Sequence, residues 1–139
     1  MISRKTIYGL QAAILLTKRI ETGPALITDL AKEGRIPKKF LEAILLELRK
    51  EGILKSKKGK GGGYVLGKDP QDISVGDIIR TLDGTFSEVL FDINNKENNE
   101  IEIILKEVRD AMSNILDKTS LADVIERAGN GQNVLNYVI

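Results

Sequence analysis

Two short β-prone stretches, Ile53 to Ser56 and Tyr64 to Leu66, flank the run Lys57-Lys58-Gly59-Lys60-Gly61-Gly62-Gly63. Glycine reaches positive φ angles without steric cost, so this run predicts a hairpin with a basic tip. Just before it, Leu41, Ile44, Leu45 and Leu48 recur at i, i+3, i+4 and i+7. That spacing predicts an amphipathic helix with Pro37 at its first position, reaching about Glu51 and stopped by Gly52. A helix leading into a basic hairpin leaves few architectures open. A phosphate-binding loop is not one of them, because Gly-Lys would have to be followed by Ser/Thr opening a helix. Here Tyr64-Val65-Leu66 continues as strand.

The flanking sequence completes an order of elements. Arg4 to Glu21 predicts a first helix with Ile7, Leu10, Ile14, Leu15 and Leu16 on its apolar face, ended by Gly23-Pro24. Thr28 is the expected cap of a short helix over Asp29 to Glu33, and Gly34-Arg35-Ile36 the turn before the next. Ser74, with Asp77 three residues on, predicts a capped helix from Val75 to Leu82, stopped by Gly84. Asp92 to Asn99 reads as an exposed loop. Asn99 with Glu102 then opens a long helix to about Asp117. Leu121 to Ala128 predicts a short helix, followed by a Gly/Asn-rich tail ending in Asn136-Tyr137-Val138-Ile139.

Helix, helix, turn, helix and hairpin is the order of a winged helix-turn-helix. The expected fold is therefore mainly α with a small β-hairpin wing. Residues 1–84 form the winged helix-turn-helix, 85–98 a linker loop, and 99–139 a long dimerisation helix, a short helix and the tail.

Charge agrees with that division. The chain carries a net charge of only +1, yet residues 1–68 hold 15 Lys/Arg against 6 Asp/Glu, and residues 69–139 hold 6 against 14. A basic half of this kind suits a polyanion. In the helix from Pro37, Lys38 and Lys39 can reach guanine acceptors or phosphates, Glu42 can accept from a cytosine amine, and Phe40 can pack on a thymine methyl. Thr28 offers a hydroxyl and backbone N–H groups to a phosphate. Lys57, Lys58 and Lys60 on the wing would ride the backbone or enter a minor groove, and Arg4, Lys5 and Tyr8 of the first helix complete the candidate DNA surface.

The long helix is apolar over a wide arc. Ile101, Ile104, Val108, Ala111 and Ile115 follow a 3-4-3-4 spacing, widened by Leu105, Met112 and Leu116. Such a helix must bury two sides; one against its own body and one against a second subunit is the expected arrangement, with packing inside a single domain as the alternative. Ile101, Ile104, Leu105, Val108, Met112 and Ile115 are the expected homodimer contacts.

Composition excludes other classes. The chain lacks both Cys and His, so no zinc cage, cysteine-held iron–sulfur cluster, thiol nucleophile or catalytic imidazole is available. No catalytic set converges, and no metal, cofactor or enzymatic activity is expected. No run of about 18 apolar residues indicates a membrane span, and no signal peptide opens the chain, so a cytoplasmic protein is expected.

Several motifs resemble a known family. Ile36-Pro37-Lys38-Lys39-Phe40-Leu41-Glu42-Ala43-Ile44-Leu45, followed by Leu48-Arg49-Lys50-Glu51-Gly52-Ile53-Leu54, is similar to the recognition region of the Rrf-two (IscR/NsrR/CymR) family of bacterial repressors. Tyr8-Gly9-Leu10, Gly61-Gly62-Gly63-Tyr64-Val65-Leu66 and Ile73-Ser74-Val75-Gly76-Asp77-Ile78-Ile79 resemble the same family in order. The resemblance implies a homodimer on a partly palindromic double-stranded operator. Two departures stand out. Lys58 occupies a position where many members carry Arg, and none of the three linker cysteines of cluster-binding members is present.

The chain thus resembles the cysteine-free, CymR-type branch, which controls cysteine metabolism and is read through a complex with cysteine synthase. Arg109-Asp110-Ala111, Ile115-Leu116-Asp117 and Thr119-Ser120-Leu121 carry that likeness. The end, Asn136-Tyr137-Val138-Ile139, resembles the C-terminal peptide of serine acetyltransferases, which inserts into the cysteine synthase active site. Tyr137, Val138 and Ile139 are accordingly the candidate partner-binding residues, with the terminal carboxylate in the amino-acid site and O-acetylserine as competitor. Two other readings stay open: a regulator of this family sensing a small molecule or stress, and a winged helix serving as a protein-interaction module.

Overall fold

The computed structural model describes residues 2–85 and 99–138, with side chains through residue 130. Helix α1 spans Arg4–Lys18, α2 Ile27–Gly34 and α3 Lys38–Lys50. Strands β1 (Leu54–Lys57) and β2 (Gly63–Leu66) pair antiparallel, with Leu54 opposite Leu66 and Lys57 opposite Gly63. A 3-10 turn at Pro70–Asp72 leads to α4 (Val75–Asp83), and α5 (Asn99–Asp117) and α6 (Leu121–Val138) follow. This is the expected winged helix-turn-helix with a long C-terminal helix. The loop expected over Asp92 to Asn99 lies outside the described residues up to Asn99, which is the first residue of α5.

One core serves both ends of the chain. Ala12, Ala13 and Leu16 of α1, Leu30 of α2, and Leu41, Ile44, Leu45 and Leu48 of α3 pack with Ile78 and Leu82 of α4. Leu121, the first residue of α6, is fully buried in the same cluster. Each such Leu or Ile contributes about 1.5–3 kcal/mol by leaving water. Gly9 lets the three helices approach: a Cβ there would strike Leu82 of α4 and crowd Ile44 of α3.

Caps fix the ends of these helices. The Ser3 side chain accepts from Thr6 N–H at the start of α1, and the Asp83 carboxylate accepts from Ser3 N–H (2.8 Å) and Ser3 Oγ–H (2.6 Å). The start of α1 is thereby tied to the last residue of α4. At α4 both bonds of the Ser74–Asp77 capping box form. A second reciprocal box, Ser120 with Asp123, opens α6. The two caps are joined by Val75 N–H to Thr119 O and Leu121 N–H to Ile73 O, both 2.9 Å.

The structure departs from the sequence-based expectations at four places. Helix α1 ends at Lys18, not Glu21, because the chain tightens into i→i+3 bonds, Ile20 N–H to Thr17 O and Thr22 N–H to Arg19 O. Thr28 caps nothing. Ala25 is bonded in both directions to Tyr64 of β2 (3.0 and 2.8 Å), so the chain leaves extended geometry at Leu26 and Thr28 falls inside the first turn of α2. Pro37 is the residue before α3, extended at ψ 128°, with its carbonyl accepting from Leu41 N–H. The C-terminal segment is helical to Val138, beyond Ala128. Leu121, Val124, Ile125, Ala128, Leu135 and Val138 keep one helical spacing in the sequence that outlasts the glycines and asparagines.

Candidate nucleic-acid interface

Helix α3 has a buried face and three exposed sectors. Leu41, Ile44, Leu45 and Leu48 point into the core. Directly opposite, at i, i+4, i+7 and i+11, stand Lys39, Ala43, Leu46 and Lys50, all exposed. Phe40 and Glu47 lie on the flank toward α1. Phe40 is 59% exposed, its ring centroid 6.5 Å from that of Tyr8 at a 47° tilt. Glu47 Oε1 accepts from Lys5 Nζ at 2.8 Å. On the flank toward the wing are Glu42 and Arg49, whose Nη1 reaches Ser56 Oγ of β1 at 3.3 Å.

The helix is held in this attitude from both sides. Lys5 and Tyr8, one turn apart on α1, grip its α1 flank, and the Arg49–Ser56 contact ties the other to the hairpin. The wing itself is anchored by the Ala25–Tyr64 bonds. Gly63 makes that anchoring possible: its φ is 144° and a Cβ would overlap the Ala25 carbonyl. Lys57, Lys58 and Lys60 extend beyond the anchored part, all exposed.

The candidate DNA residues divide accordingly. Arg4, Thr28, Lys38, Lys39, Phe40, Glu42 and the three wing lysines are exposed. Lys5 and Tyr8 are half-buried and engaged with α3, which makes them struts as much as contacts. Arg35, at the turn between α2 and α3, is exposed and holds the left-handed conformation (φ 53°). Sequence reading did not single out Ala43, Leu46 and Lys50, which are exposed on the same face of α3 as Lys39. Their signal was present as the i+4, i+7 and i+11 positions from Lys39.

The two sides expected of α5 are also separated. Leu105, Met112 and Leu116 are half-buried, and Leu116 packs on Ile79 of α4. Ile101, Ile104, Val108 and Ile115 remain exposed, between 43% and 63%. Ile103, outside the expected stripe, is also 60% exposed. Arg80 of α4 grips the C-terminal end of α5 through Asp117 at 2.6 Å, and contacts Asp77 at 3.3 Å. The hydrogen bond to Asp117 raises the Arg80 pKa, and the same bond holds the Asp117 carboxyl below its ordinary range. Tyr137 and Val138 have helical backbone at the end of α6, and Ile139 lies outside the described residues.

The family profile described as "Rrf2: Iron-dependent Transcriptional regulator" matches residues 2–127. The chain belongs to the Rrf2 family of transcriptional regulators. It is 36% identical to the HTH-type transcriptional regulator CymR of Bacillus subtilis over 138 residues, 99% of both chains. The structure of CymR, the global cysteine regulator of B. subtilis, superposes with a TM-score of 0.82 at 35% identity, covering 91% of this chain and 97% of that one. T. potens IscR gives a TM-score of 0.81 at 32% identity, covering 95% and 90%. IscR of Klebsiella pneumoniae is 37% identical over 82 residues, 59% of this chain and half of that protein. These relatives are transcriptional regulators, not enzymes. This chain contains neither cysteine nor histidine. Among the described residues, no group of three or more Asp, Glu, His or Cys side chains is placed to hold a metal. Among them, too, no helix is long and apolar enough to cross a membrane.

Proposed function

We propose that this Rrf2 protein is a sequence-specific repressor of cysteine and sulfur metabolism genes. It binds a partly palindromic operator as a homodimer, without a cysteine-held iron–sulfur cluster. The observation that carries this reading is the likeness to CymR along the whole chain, α5 and α6 included. In each protomer α3 enters a major groove, and Lys57, Lys58 and Lys60 track the adjoining backbone. The exposed edge of α5, Ile101, Ile104, Val108 and Ile115, meets the same edge of a second copy. A single chain leaves this apolar row in water, and pairing removes it.

The signal enters through cysteine synthase. The terminal residues Tyr137, Val138 and Ile139 occupy its substrate site, and the backbone of Tyr137 and Val138 unwinds from α6 to do so. Calorimetric titration with cysteine synthase, comparing the full chain with one lacking Ile139, tests this. Binding that vanishes with Ile139, or that O-acetylserine competes away, is expected. Equal binding by both forms removes Ile139 from the contact, and no binding by either form removes the partner and leaves DNA binding standing.

A further inference from the structure

The outermost stripe of α3 is chemically unlike a surface that reads bases by hydrogen bonds. Between Lys39 and Lys50 it presents only Ala43 and Leu46. Leu46 is 39% exposed and lies on the side opposite the core. Its neighbour Ala43 has no atom beyond Cβ, so a surface approaching the helix there comes close to the backbone. In the major groove one group answers such a surface: the C5-methyl of thymine is the apolar feature among the donors and acceptors of the base edges.

We infer that Ala43 and Leu46 are specificity-determining residues that read thymine through its methyl group. This rests on the DNA-binding reading above. The charge pattern supports DNA as the occupant of the stripe: Lys39 and Lys50 bracket the two apolar residues along one line, and Lys38 and Arg35 stand beside its start. Cations 11 positions apart match phosphates on either wall of a groove, with the apolar centre over its floor. Glu42, on the wing flank, then reads a separate position. The operator half-site accordingly carries thymine where the middle of α3 lies, and cytosine where Glu42 reaches an exocyclic amine.

The test begins with a duplex enriched by the full-length protein from a random pool. Each thymine of its half-site is replaced in turn by deoxyuridine, which removes the methyl and keeps every hydrogen-bonding group. Binding weakens about fourfold at the thymines facing the stripe, the weight of one buried methyl group. In Leu46→Ala or Ala43→Gly one of those losses disappears, because the methyl has lost its contact. Equal affinity for every deoxyuridine duplex overturns methyl readout and leaves DNA binding intact. Losses that persist unchanged in both variants also overturn it, since the methyl is then read elsewhere. If no duplex is enriched, the DNA-binding reading fails and this inference with it. The deoxyuridine series on the unaltered protein makes the outcome independent of how either variant folds.

Discussion

Lys5 Nζ of α1 lies 2.8 Å from Glu47 Oε1 of α3, one helical turn from the contact between Tyr8 and Phe40. A lysine on the candidate DNA surface is thus already neutralised by a carboxylate of the helix it supports. The pair is half-exposed, so its worth in stability is small, about 0.2–1 kcal/mol. Its effect on binding is larger in kind, because it takes one cation out of the phosphate count. Glu47→Gln should release Lys5, tighten binding to all duplexes, and steepen the log–log salt dependence by about one. Anisotropy titrations over a salt series check this. An unchanged slope would make Lys5 a strut alone.

Gly9 sits where α1, α3 and α4 converge. Replacing a helical glycine by alanine ordinarily stabilises by about 0.5–1 kcal/mol. Here the added methyl strikes Cδ1 of Leu82, which is 7% exposed and must change rotamer within the core to yield. Overpacking of this kind costs about 1–3 kcal/mol, so Gly9→Ala should come out destabilising. Urea denaturation gives the sign directly.

The exposed row on α5 makes a prediction about assembly. Val108→Asp places a charge in the middle of Ile101, Ile104 and Ile115 without touching the buried core. The protein should sediment as a folded monomer and bind its operator at least tenfold more weakly, a loss of about 1.4 kcal/mol or more. An intact dimer at micromolar concentration would remove α5 from the interface.

Acid should loosen the ties of α4 to α1 and to α5. Burial pushes the Asp83 carboxyl up, but the bonds from Ser3 hydroxyl and N–H, with Thr6 and the Lys5 charge, outweigh it and its pKa is lowered. Asp117 is lowered chiefly by its bond from Arg80. A carboxyl depressed in the folded state binds fewer protons there than in the unfolded chain. It therefore contributes stability fully above the unfolded value of about 3.9, and loses it as pH falls through the folded one. Thermal stability should hold from pH 7 to about 5 and fall below about 4, and Asp83→Asn should flatten that fall. A fall of equal steepness in Asp83→Asn would assign the acid limb to other carboxyls.

The parts of this fold that were legible in sequence are those set by neighbours along the chain. The Ser74–Asp77 box, the core face of α3 and the hairpin around Lys57 to Gly63 all follow from spacing or turn chemistry. What was not legible depends on distant contacts. Thr28 has the right side chain for a cap, yet Tyr64 pins Ala25 and moves the start of α2 ahead of it. Lys5 looks like a free cation until α3 brings Glu47 beside it. The division of α5 into an inner edge, with Leu105, Met112 and Leu116, and an outer edge needed the position of α4. The reach of α6 past Gly129 was hidden because local composition argued for a tail while the apolar spacing argued for a helix.

The most direct test of the central claim compares three proteins on one enriched duplex across a salt series: the unaltered chain, the doubly substituted Lys58→Ala/Lys60→Ala, and Glu42→Ala. The account predicts that losing the wing lysines weakens binding to every duplex and reduces the salt slope by about two, one for each phosphate contact. It predicts that Glu42→Ala leaves the slope unchanged and relaxes preference at a single base pair. If both variants keep the affinity, slope and sequence preference of the unaltered protein, neither the wing nor α3 faces DNA, and the winged helix serves another partner.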